Sequence, residues 1–327
     1  MTQIKSGSGP RASRAKVILA FAAVYIVWGS TFLGIRYAIE TLPPFLMAGA
    51  RFSLAGAIMF AWARFKGDKG GWSWVQWRRA IFIGALLLLC GNGGVTWAEK
   101  YIASGLVALL VGIEPLWVVA LNWAITRRAP NAKVLFGVLV GLAGVGLLMG
   151  GGLNNSPEVP GLSLAAAGAV LLAGLAWAGG SVYANHRPVK ASTSLTAGME
   201  MLSGGGLLLL LGLVAGDFGH LNLARVSWIS IVAFAYLVIF GALAFTAYAY
   251  LLRNVSTARA ATYAYVNPAV AVFLGWLLAN EPLTLRTLIA AAVIVGSVVL
   301  ITTYGGEHVT SSAEEIDDSE CSTYPCT

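Results

Sequence analysis

Three charged side chains interrupt otherwise apolar runs: Arg51, Glu114 and Glu200. A charge at bilayer depth is costly and generally faces a cavity or a partner, so each of the three is a candidate for function. Glu114 precedes Pro115, whose missing amide donor and ring clash open the local backbone ladder. A carboxylate beside such a kink is placed to bind a substrate amine or a proton. The structural alternative is a carboxylate satisfied by a hydroxyl or a Trp amine of a neighbouring helix. Asn267 precedes Pro268 in the same way, 153 residues further on, and both prolines are candidate kinks. Arg51 moved by 149 residues falls on Glu200, a pairing of opposite charges. Either the two form a buried bridge that closes a gate in one state, or each offsets polar backbone in its own half.

Neutral groups at similar depth extend the candidate binding set to Trp28, Ser30, Thr31, Asn92, Trp117, Tyr263 and Tyr265. Mid-span aromatic rings can line a cavity and stack on an aromatic or cationic solute, or they can simply pack. Ser, Thr and Asn can equally serve as interhelical glue, at about 1 kcal/mol each. Trp72, Trp74, Trp77 and Trp228 lie near span ends and suit an interfacial belt. Other chemistries lack their residues. His186, His220 and His308 are far apart and outside the apolar runs, and Cys90, Cys321 and Cys326 form no metal-type or disulfide pattern. No Gly-rich Lys-Ser/Thr phosphate loop is present, which argues against ATP hydrolysis by this chain. The expected metal and cofactor content is none.

The elements that carry these residues follow from composition. Of 327 residues, 58% are hydrophobic and 11% charged, against about 25% charged in soluble domains. Spans of roughly 20 apolar residues are expected near 17–36, 44–63, 80–98, 103–125, 134–150, 162–183, 196–215, 229–251, 258–279 and 287–304. Gly137 and Gly141, then Gly146 and Gly150, give the fifth span small-residue spacings that allow close helix approach, within the chain or in a dimer.

The net charge of +7 does not point to nucleic acid, because its sources are spread over short joins. Lys5, Arg11, Arg14, Lys16, Arg64, Lys66, Lys69, Arg78, Arg79, Arg127, Arg128, Lys133, Arg187, Lys190, Arg253 and Arg259 fall on one side. Only Arg36, Lys100, Arg225 and Arg286 fall on the other. Retained loops are rich in Lys and Arg, so both termini are expected in the cytoplasm. The tail from Gly305 is polar and acidic and has the composition of a disordered segment.

An internal repeat organises the spans. A shift of 149 superposes Trp28 on Trp177, Ala48 on Ala197 and Gly49 on Gly198. A shift of 153 superposes Ala108 on Ala261, Pro115 on Pro268, Leu121 on Leu274 and Trp123 on Trp276. Five spans is an odd number, so the second half must enter the membrane from the opposite side. The expected fold is an all-α membrane protein of ten helices in two inverted five-helix repeats, 17–150 and 162–304, flanked by tails 1–16 and 305–327. Inverted repeats suit alternating access around a midplane site.

The stretch Trp28-Gly29-Ser30-Thr31-Phe32, with Pro43-Pro44-Phe45 and Ala50-Arg51-Phe52, resembles the EamA-type carriers of the drug/metabolite transporter superfamily. So do Asn267-Pro268, Gly275-Trp276 and Asn280-Glu281-Pro282-Leu283. The resemblance covers residues 17–304 and implies an inner-membrane carrier rather than an enzyme. Such carriers usually export small metabolites, amino acids or toxic compounds, driven by a proton or by exchange. It leaves the substrate, the coupling ion and the oligomeric state open. A lipid-modifying membrane enzyme and a passive channel are the competing readings.

Overall fold

Lipid offers no hydrogen-bond partner to a peptide group, so long apolar runs satisfy their backbone internally as helices. The computed structural model describes residues 14–68, 70, 73–127, 129–152, 160–186, 191–254 and 263–305, and all regular structure among them is helical. In chain order the long helices are α1 (Arg14–Ala38), α2 (Pro44–Phe65), α3 (Trp74–Ala98), α4 (Ser104–Ile125), α5 (Ala132–Gly152) and α6 (Pro160–His186). There follow α7 (Thr193–Val214), α8 (Trp228–Asn254), α9 (Tyr263–Ala279) and α10 (Leu285–Gly305). Six have apolar stretches long enough to cross a bilayer, namely α1 to α4, α6 and α7, and the other four carry shorter ones. The third span begins at Trp74 rather than near residue 80, which takes Arg78 and Arg79 into α3. Lys5, Arg11, Lys69, Arg128, Arg187, Lys190, Arg259, Trp72 and the tail beyond Gly305 lie outside the described residues.

Helix starts follow their local sequence. Pro44 opens α2, where a missing amide costs nothing. The Ser73 and Ser192 hydroxyls accept from the amides of Gln76 and Leu195 at the starts of α3 and α7. Two helices carry π-helical segments, Val24–Trp28 in α1 and Ala85–Asn92 in α3. Such widened turns re-aim side chains and recur at functional sites.

The most extensive helix contact joins α2 to α7, and glycine makes it possible. A Cβ added at Gly49 would lie 2.7 Å from the Leu209 amide nitrogen and 3.0 Å from the Gly205 carbonyl. One added at Gly56 would lie 2.7 Å from the Leu202 nitrogen and 3.0 Å from the Gly198 carbonyl. Residue numbers rise along one helix as they fall along the other, so α2 and α7 run antiparallel. Gly49 and Gly56 are related to Gly198 and Gly205 by the same 149-residue shift, so one seam is built twice from one pattern.

Acidic caps lock this seam at both ends. Asp217 Oδ2 accepts from the amides of Phe45 and Leu46 at the start of α2, at 2.9 and 3.0 Å. Asp68, again 149 residues earlier, accepts from the Ser192 amide at the start of α7 at 2.8 Å and from the Gly70 amide at 2.9 Å. Each helix pair thus exchanges caps through a carboxylate placed just after the other helix. Hydrogen bonds from Ser192 and Gly70 hold the Asp68 carboxyl below its ordinary range.

The remaining contacts share this symmetry: α1 packs on α8 as α6 packs on α3, α4 packs on α9, and α5 on α10. The last pair is also antiparallel, because Gly137, Gly141 and Gly144 meet Ile301, Ser297 and Ile294 in turn. Gly137 and Gly141 therefore serve packing within the chain, whereas Gly146 faces open space. Arg127 and Asn280, 153 residues apart, have left-handed backbone (φ 58° and 52°) where α4 and α9 end. Large apolar side chains such as Leu54, Ile58, Phe136, Leu139 and Leu210 face outward, as a lipid-facing surface requires. Trp74 and Trp228 are exposed at helix starts, while Trp77 packs on Phe60.

Gly56→Leu is expected to destabilise the protein by at least the roughly 1–3 kcal/mol of an overpacked core, because the atoms that must yield are α7 backbone. Gly146→Leu, with nothing within 4 Å of the added atom, is expected to leave stability unchanged. Thermal unfolding of both variants in detergent, followed by circular dichroism, checks the contrast.

Candidate functional site

A cavity of about 180 Å³ lies where the repeat-related helices meet. Its walls come from α1 to α4 and from α6 to α9. The lining repeats itself across the two halves. Trp28 and Trp177, Arg51 and Glu200, and Phe52 and Met201 are pairs 149 apart, and Glu114 and Asn267 are a pair 153 apart. A site at the pseudosymmetry axis sees both halves equally. The tryptophans match, but the polar pairs are matched in position and not in chemistry, so they contribute one guanidinium, two carboxylates and an amide in place of two like pairs.

Local backbone explains how these groups arrive there. Helix α4 breaks at Gly112 and Ile113, and Glu114 opens its second part with Pro115 beside it. The Leu116 amide donates to the Ile113 carbonyl, a tightened turn that carries the chain past the proline. The break allows close approach: a Cβ at Gly112 would lie 2.9 Å from the Pro268 ring. Pro268 itself sits inside an unbroken α9. The two prolines are thus repeat-equivalent in sequence but only the first accompanies a gap in its helix. A helix start favours the negative charge of Glu114, since its free amide groups and dipole are positive there.

Arg51 is buried at 6% exposure. Its Nη2 donates to Asn92 Oδ1 at 3.3 Å, and its guanidinium lies 4.2 Å from the centre of the Phe52 ring. Its Nη1 is buried without a hydrogen-bond partner. Asn92 in turn donates from Nδ2 to the Leu87 carbonyl at 3.4 Å, within the π-helical segment of α3. Glu200 pairs with Arg79 at 3.9 Å, an ion pair between α7 and α3. Arg79 also donates to the Ala184 carbonyl at the end of α6, at 3.0 Å. The carboxylate partner that symmetry offered to Arg51 is therefore held by a different arginine, one that charge counting had placed in a loop.

Aromatic groups form a second wall. Trp28 packs against Tyr248 and Tyr263, with ring centres 5.0 and 5.1 Å apart, and the two tyrosines meet edge-on at 5.5 Å. Trp28 and Tyr263 reach the cavity. Asn267 lines it with a buried Oδ1 that has no partner.

Thr31 lines the cavity, although its hydroxyl donates back to the Trp28 carbonyl at 2.6 Å. Ser30 points elsewhere: it donates to the Val27 carbonyl and meets the Tyr236 hydroxyl at 2.6 Å, beside a separate cleft between α1, α8 and α9. Trp117 lies against Gly174 of α6, behind the cavity wall, with a buried unpartnered Nε1. The Tyr265 side chain lies outside the described residues. Trp177 and Phe52 had not been singled out as site residues, although the shift that relates Trp28 to Trp177 already marked the first of them.

Comparison with known proteins agrees with this architecture. The model of the EamA-like transporter family matches the chain twice, over residues 15–150 and 164–303. The chain is 38% identical over 287 residues to the inner membrane transporter YedA of Escherichia coli K12, itself uncharacterized, covering 86% of this chain and 89% of that one. It is 24% identical over 291 residues to the uncharacterized transporter YvbV of Bacillus subtilis 168, covering 89% and 92%. A solved crystal structure shares the fold with a TM-score of 0.61 at 20% identity, over 89% of this chain and 99% of its own. Two matched halves, an all-helical body with several bilayer-length helices and a transporter relative at this identity have one reading: the chain is a multi-pass membrane protein that belongs to the EamA-like transporter family.

Proposed function

We propose that the protein is a secondary active carrier of the inner membrane that exports a compact solute by alternating access. The observation that carries this reading is the cavity lined by repeat-related residues from both halves, because rocking of two halves moves access across such a site without rebuilding it. In this reading the four shorter apolar helices also cross the bilayer, giving ten spans. The antiparallel pairing of α2 with α7 supports the inverted repeat, and the basic loops support cytoplasmic termini. The family supports a carrier over a lipid-modifying enzyme or a passive channel.

The cavity chemistry narrows the solute. At about 180 Å³ it is smaller than the roughly 300–1,000 Å³ of drug-sized pockets, which favours a small metabolite or amino acid over a bulky compound. Arg51 suits an anionic group, Glu114 and Glu200 suit a cationic one, and Trp28, Trp177 and Tyr263 offer ring faces between them. Asn92, Asn267 and Thr31 add neutral contacts. Further partners are the bilayer and a proton or counter-solute, with no nucleic acid and no cofactor. A monomer and a dimer are both compatible with this reading.

Uptake of a panel of radiolabelled amino acids and small organic ions into proteoliposomes tests the carrier. Accumulation against a gradient is expected; strictly downhill flux would mark a channel, and product formation without transport would mark an enzyme. Once a transported solute is known, Glu114→Gln is expected to lower its transport about tenfold or more at unchanged expression, the scale of one lost charge-assisted hydrogen bond. Unaltered transport would remove Glu114 from the site. Reporter fusions at each terminus are expected to place both in the cytoplasm, and an external reporter at either end would overturn the orientation.

A further inference from the structure

Glu99 follows the last turn of α3 and is completely buried. Both carboxyl oxygens lack a hydrogen-bond partner. Three residues earlier on the same face, Thr96 Oγ1 is also fully buried and unpartnered, where a helical threonine ordinarily bonds back to its own helix. The third unsatisfied group nearby is Arg51 Nη1, on the neighbouring α2. Orphaned buried polar atoms are uncommon and call for an explanation.

An ionised Glu99 without a partner would cost several kcal/mol, so the arrangement favours a carboxyl that carries a proton. The charged and titratable groups that act on Glu99 are Glu281, Arg51 and Arg36. Arg36 Nη1 is engaged by the Glu99 backbone carbonyl at 2.7 Å. Glu281 is engaged by α4, accepting from the Ser104 amide and hydroxyl at 2.7 Å and from the Gly105 amide at 3.0 Å. Arg51 keeps a buried donor without a partner, and Arg51 also lines the solute cavity. Burial, with the Glu281 charge, pushes the Glu99 carboxyl well above the usual range, and Arg51 and Arg36 pull it back.

We propose that Glu99 is a proton-binding site linked to the solute cavity through Arg51, whose guanidinium serves either the Glu99 carboxylate or an anionic group of the solute. A proton on Glu99 frees the Arg51 charge for the solute. By linkage, an anionic solute that engages Arg51 favours the proton on Glu99 to the same degree. Proton and anionic group are therefore loaded together, so the proton leaves with an exported anion and the drive for export comes from a counter-solute. The linkage rests on the carrier reading, whereas the proton site itself does not.

Infrared spectra of the full chain in phosphatidylethanolamine–phosphatidylglycerol liposomes, titrated from acid to alkaline pH, test the site without any transported solute. A carboxylic-acid C=O band present at neutral pH is expected to vanish in Glu99→Gln and to persist in Glu114→Gln and Glu200→Gln. In Arg51→Gln, which leaves Glu99 in place, the band is expected to titrate at a pH higher by about one unit or more, the scale on which a nearby cation holds a carboxyl down. Thr96→Val is expected to shift the frequency of the same band. A neutral-pH spectrum unaltered by Glu99→Gln, or a midpoint unmoved in Arg51→Gln, would overturn the proposal. So would a band lost when sodium chloride replaces choline chloride, which would mark a cation site. A Glu99 band in a protein that accumulates no solute would instead defeat the carrier reading and leave the proton site standing.

Discussion

The α2–α7 seam is the constraint on which the rest of the molecule depends. Two repeat-equivalent helices meet backbone to backbone at Gly49, Gly56, Gly198 and Gly205, a distance at which any larger side chain collides with main chain. In lipid there is no hydrophobic force to hold helices together, so close van der Waals contact and polar locks must do so. Asp68 and Asp217 supply the locks, each satisfying backbone amides at the start of the other half's helix. Because the same pattern is used twice in opposite directions, the seam sets a two-fold relation between the halves.

The cavity follows from that relation. Helices packed about a pseudo-two-fold axis bring equivalent residues to it from both sides, which is why Arg51 and Glu200, or Glu114 and Asn267, line one space despite their separation in sequence. Divergence within the polar pairs then makes the cavity chemically asymmetric. Two arginines facing each other at the axis would repel; an arginine and a glutamate need not. Here neither takes the other as its partner, since Asn92 accepts from Arg51 and Arg79 pairs with Glu200. The arginine consequently retains a free donor at the cavity, and that spare donor connects the cavity to the buried Glu99.

Much of this was legible in the sequence because hydropathy and fixed shifts report directly on spans and repeats. Trp28 with Trp177, and Arg51 with Glu200, were visible as pairs before any coordinates. The same arithmetic, carried to Asp68 and Asp217 or to Arg127 and Asn280, also marks caps and helix ends, but those matches look like chance until a contact gives them a role. Side-chain direction was less legible. Ser30 and Thr31 are adjacent and similar, yet one turns to Tyr236 and the other to the cavity, a difference of 100° around a helix whose faces are all apolar or small. Glu99 escaped notice because it stands in a short join between spans, where a carboxylate is ordinarily solvated; only its burial distinguishes it.

In the proposed carrier, access to the cavity from both sides of the membrane is the property that would join the seam, the symmetric lining and transport. It is measured most directly with a cysteine at Ala55, a buried cavity residue of α2, in a background with Cys90, Cys321 and Cys326 replaced. A membrane-impermeant thiol reagent is applied to vesicles of either orientation. Alternating access predicts modification from both sides, slowed from both by a transported solute; modification from one side alone, or from neither, would contradict it.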